Sequence, residues 1–74
     1  MTLIETFNLA VENHAKNNIE VAIDLYNKTL KIDPNHINSH CNLGDIFSAL
    51  SEYKKAITCF EKAIKIIKIF FIKT

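Results

Sequence analysis

The chain has 74 residues, of which 49% are hydrophobic and 23% charged, with a formal net charge of +1. It is too apolar for a disordered segment and lies near the lower size at which one hydrophobic core sustains a fold. Its basic residues are all Lys and alternate with acids along the chain, which argues against the clustered basic surface that nucleic-acid binding needs.

The N-terminus meets an acid at Glu5 and lacks the basic and continuous apolar regions of a secretory signal, so a cytoplasmic protein is expected. Leu3, Phe7, Ala10 and Val11 recur at helical spacing and predict a first helix near residues 2–16, closed by Asn17-Asn18. Ile19, Ala22, Ile23, Tyr26 and Leu30 mark one face of a second helix near 19–32. Asp33-Pro34-Asn35 ends it, because Pro cannot continue a helix and restrains the residue before it. Ile37, Cys41, Gly44 and Phe47 predict a third helix near 36–50, followed by a turn at Ser51-Glu52. Tyr53, Ala56, Ile57, Phe60 and Ile64 predict a fourth near 53–70. The apolar stretch 64–72 that finishes it is broken by Lys65 and Lys68 and is far short of the ~20 residues a membrane span requires.

The second half of the chain repeats the first. At an offset of 34 residues Asn8 aligns with Asn42, Leu9 with Leu43, Ala15 with Ala49, Ala22 with Ala56, Ile23 with Ile57, Lys28 with Lys62 and Ile32 with Ile66. Ala10 and Gly44 on the first helix of each unit, with Ala22 and Ala56 on the second, are small enough for antiparallel helices to approach to about 8–10 Å. Tyr26, Phe47, Tyr53 and Phe60 are expected to fill the remaining space.

A helix-turn-helix unit of this length, carrying Leu43-Gly44, Phe47, Tyr53, Ala56, Phe60 and Ala63 in one copy and Ala22, Tyr26 and Asp33-Pro34 in the other, closely resembles the tetratricopeptide repeat. The resemblance implies an all-α domain over 1–74: antiparallel helical hairpins in a short right-handed solenoid, with repeat one at 3–36 and repeat two at 37–70. Three departures stand out. Asn13 replaces an aromatic residue, Thr29 replaces a small Ala, and an apolar extension at 67–74 replaces the Asp-Pro turn expected after Ile66.

By the same resemblance the chain is a protein-interaction module that binds a peptide or protein partner along a concave groove formed by the first helix of each repeat. The residues implied are Phe7, Asn8, Val11 and His14 from repeat one and Asn38, Cys41, Asn42 and Asp45 from repeat two, flanked by Ile4 and Ser48. Asn8 and Asn42 recur at equal positions, and each amide offers both a donor and an acceptor to an extended peptide backbone. The carboxylate clamp of chaperone-binding members is not expected: Asn42 matches it, but Phe7 and Val11 stand where Lys and Asn would be.

Other chemistry finds little support. His36 and His40 are spaced i, i+4 with Cys41 adjacent, yet a structural zinc takes about four convergent ligands, and no metal or other cofactor is expected. His40 reads as packed and His36 as solvated. Cys41 and Cys59 read as two reduced, packed thiols. The only Gly is explained by helix packing rather than by a phosphate loop, and no nucleophile beside a base is evident, so an enzyme is not expected. Two alternative readings remain: an assembly unit that self-associates through Ile69, Phe70, Phe71 and Ile72 of the C-terminal helix, or a remnant of a longer repeat array. A tail folded back as a built-in cap is the competing arrangement.

Overall fold

The computed structural model describes residues 1–73. Its elements are four helices, α1 (Leu3–Ala15), α2 (Ile19–Ile32), α3 (Ile37–Ala49) and α4 (Tyr53–Lys73). The helices α1 and α2 pack as one hairpin, α3 and α4 as a second, and α3 lies against α2 to join them. The architecture is therefore the stacked pair of helical hairpins that the internal repeat predicts.

The repeat is visible at the level of single hydrogen bonds. Asn17 and Ser51, 34 residues apart, both adopt left-handed backbone conformations, with φ of 64° and 61°. At each site the chain leaves its helix through the same motif. Asn18 N–H donates to Asn13 O and Asn17 N–H to His14 O, while Glu52 N–H donates to Phe47 O and Ser51 N–H to Ser48 O. These paired bonds satisfy carbonyls that the helix end leaves without partners. Helix starts also recur: Thr2 caps α1 and His36, at the equivalent place, caps α3. Thr2 forms a reciprocal box with Glu5, and the hydrogen bonds from Thr2 hold the Glu5 carboxyl below the usual carboxylate range.

The core follows the small residues. Ala10, Ala22, Leu25, Tyr26, Leu43 and Ile46 form one buried cluster across both repeats, each large side chain contributing about 1.5–3 kcal/mol through burial. Gly44 has a steric role: a Cβ built there would lie 2.7 Å from the Phe60 ring, so its absence lets α4 press against α3. Thr29, in the place of the usual Ala, is fully buried and satisfies its hydroxyl by donating to Leu25 O at 2.8 Å. Asn13, in the place of an aromatic, donates to Leu9 O and accepts from Asn18 Nδ2. Both departures from the repeat pattern thus complete local hydrogen bonds.

Two sequence expectations need adjustment. The helix α4 runs to Lys73, beyond the expected end near residue 70, because neither Pro nor Gly follows Phe60. It remains one continuous helix with Ile69, Phe70 and Ile72 exposed, so the tail does not fold back as a cap. The expected alternation of charge also does not hold in the last third of the chain. The helix α4 carries six lysines against Glu61 alone, a net of +5, whereas the charged residues of α1 are Glu5 and Glu12 and that of α3 is Asp45.

Candidate functional site

On α1 and α3, residues that point away from the core lie in two matched rows. In the first row Asn8 and Val11 are exposed beside the strongly exposed Ile4, and in the second Asn38, Asp45 and Ser48 are exposed. Cys41 and Asn42 are half-buried between the rows and the core. The helical period produces this arrangement, since the same turn that sends Ala10 and Leu43 inward sends Val11 and Asn42 towards the open side.

Phe7 and His14 are placed differently. Phe7 is half-buried, its ring 6.0 Å from Tyr26 and edge-on to His36 at 4.7 Å, so it packs between the repeats. His14 is also half-buried and meets Tyr26 edge-on at 5.9 Å. Their reach into the open face is correspondingly small.

Sequence reasoning missed the group at the centre of this face. The hydroxyl of the fully buried Tyr26 accepts from Asn42 Nδ2 at 3.2 Å and lies 3.1 Å from His14 Nδ1, to which it donates in the complementary tautomer. Burial pushes the Tyr26 phenol above its ordinary value; the Asn42 hydrogen bond opposes the shift and the Asp45 carboxylate reinforces it. The bond orients Asn42 and leaves its carbonyl oxygen, together with the second amide proton, available at the surface. Asn8 makes no such bond among the described residues. The only sequence signal was the phenol that Tyr26 carries on the otherwise apolar stripe of the second helix.

The histidines near the repeat junction are structural. His36 Nδ1 accepts from Ser39 N–H and lies 2.8 Å from Ser39 Oγ, and the residue is half-buried rather than solvated. His40 is buried, and its Nε2 donates to Pro34 O at 2.9 Å, which fastens α3 to the turn after α2. Their ring nitrogens are directed to separate partners, and among the described residues no three His, Cys, Asp or Glu side chains gather as a metal site. Cys41 and Cys59 are free thiols; burial raises Cys59 above the ordinary thiol range, with nearby Lys62 opposing it. No helix among the described residues is long and apolar enough to cross a membrane.

Comparison with known families agrees with this architecture. Residues 37–68 match a family described as tetratricopeptide repeat, and residues 12–51, more than half of the chain, match a second profile described as TPR repeat. The first match coincides with α3 and most of α4; the second bridges the two hairpins. No curated protein matches the chain.

Proposed function

The chain belongs to the tetratricopeptide repeat family, whose repeats generally mediate protein–protein interaction and are not catalytic, and from that premise we propose that it binds an extended segment of a protein partner across α1 and α3. The observation that carries this reading is the pair Asn8 and Asn42. Both stand at the same position of their repeats, and the bond to the Tyr26 hydroxyl uses one amide proton of the half-buried Asn42, which leaves its carbonyl oxygen for a ligand. A backbone laid across the rows finds a donor and an acceptor at each asparagine, while Ile4 and Val11 supply apolar contact.

The test uses a peptide selected on the full chain from a random display library. Asn8→Ala should weaken that peptide by about 1–3 kcal/mol without altering helicity, since it leaves peptide polar groups unpaired. Asn42→Ala should weaken it comparably and also lower the melting temperature, because Tyr26 loses a partner. Unchanged affinity in both variants would remove the asparagines from the binding role.

A further inference from the structure

The internal repeat makes a second surface readable. Along α2, Ile19, Tyr26 and Leu30 form a flank covered by α3: Asn42 bonds Tyr26, and Ile19 and Leu30 pack against the cluster containing Leu43 and Ile46. Thirty-four residues later the same flank recurs on α4 as Tyr53, Phe60 and Ile64, with Ile57 in the place of Ile23. There Tyr53 is 61% exposed, Ile57 56% and Ile64 52%. The spacing 53, 57, 60, 64, 67 continues four-three-four-three along the overhanging part of the helix and forms one uninterrupted apolar seam.

The geometry points to a single occupant, and we propose that this seam receives an amphipathic helix of a partner protein, running antiparallel to α4 and carrying acidic residues in its N-terminal half. The template is α3 on α2. In that interface His40 docks on the turn at Pro34, and 34 residues after Pro34 stands Lys68, next to Lys65. In repeat two α4 continues through this place as helix, so the N-terminal end of a docked helix lies towards the part of α4 that carries Lys65, Lys68 and Lys73. The N-terminal turns of the docked helix, already positive through the helix dipole, face a helix of net +5, so acids are needed there.

A second copy is a poor occupant on either side. The outer face of α1 carries Glu5, Glu12 and Lys16 where α3 has Ser39, Ile46 and Leu50, so stacking α1 on the seam would bury charges. Pairing α4 with α4 of another copy would set two helices of net +5 side by side. Cys41 and Ser48 on α3 take the places of the larger Phe7 and His14, so the α3 side of the seam carries smaller side chains than its counterpart in repeat one.

The experiment titrates the full ¹⁵N-labelled chain with a peptide of residues 35–50 carrying Cys41→Ser and His40→Glu, and with its twin carrying Cys41→Ser and His40→Lys. The expected result is perturbation of the Ile57, Ile64 and Ile67 amides, with the Glu peptide about fivefold tighter at low salt. Lys68→Glu in the chain should invert that preference, and Ile57→Glu should abolish binding while circular dichroism stays unchanged. The groove is a separate surface, so the Asn8→Ala chain should retain this binding. Absent perturbation of the seam, or a preference that Lys68→Glu fails to invert, overturns the proposal. So does a dimer of the chain alone that Ile57→Glu dissolves, and so does titration of the same amides by phosphatidylserine vesicles but by neither peptide.

Discussion

Asn42 Nδ2 of repeat two donates to the Tyr26 hydroxyl of repeat one over 3.2 Å, so one bond joins the junction between repeats to the open face where Asn42 presents its other groups. Its energetic weight is measurable. Asn42→Ala and Tyr26→Phe should each destabilise the fold, and a double-mutant cycle should give a coupling of about 0.5–1.5 kcal/mol. Strictly additive effects would mean the bond does not contribute to joining the repeats.

The same hydroxyl sets an alkaline limit. Burial, aided by the Asp45 charge, raises the folded-state pKa of Tyr26 above its unfolded value of about 10. The folded state then holds this proton more tightly, so the contribution is fully present below pH ~10 and is lost as pH rises through the folded value. The melting temperature of the native chain should fall faster above pH ~10 than that of Tyr26→Phe. Parallel curves would show that Tyr26 is not linked to folding.

Gly44 of α3 faces the Phe60 ring of α4, which occupies the space a Cβ would need. Overpacking costs about 1–3 kcal/mol, whereas replacing Gly by Ala inside a helix gains about 0.5–1. Gly44→Ala should therefore lower stability by about 1 kcal/mol in the native background. Combined with Phe60→Leu, which withdraws the ring, the same substitution should become stabilising by about 0.5–1 kcal/mol. A raised melting temperature for Gly44→Ala alone would contradict the steric account.

Ser51 holds a left-handed conformation that Asn17, its counterpart, adopts more readily, since short amide side chains are favoured there and Ser is not. Ser51→Gly should stabilise the chain by about 0.5–1 kcal/mol, a rise of several degrees for a domain of this size, and Asn17→Gly by less. Calorimetry on the two variants checks both the sign and the order; a destabilised Ser51→Gly would locate the strain elsewhere.

Much of the fold was legible because the repeat is written twice. Ala22 and Ala56 identified the packed faces, Asp33-Pro34 identified the junction, and the four helical stripes reproduce the observed elements closely. What escaped were relations that periodicity does not encode. His36 looked solvated because nothing in its spacing reveals that it caps α3 and rests on Phe7. Phe7 and His14 lie on the first helix as expected, yet half of each is spent on Tyr26, a contact between helices rather than along one. The gathering of lysines on α4 was legible, since residues 53–73 hold six lysines and Glu61 alone; a reading of charge over the whole chain passed over it.

The most direct measurement of the central claim, that the α1–α3 face binds partner protein, is an amide shift map of the labelled chain with a display-selected peptide. Binding on that face predicts perturbations at Asn8, Val11, Asn38 and Asn42, and their loss in Asn8→Ala. Perturbations confined to α2 and α4, with Asn8 and Asn42 unmoved, would contradict it.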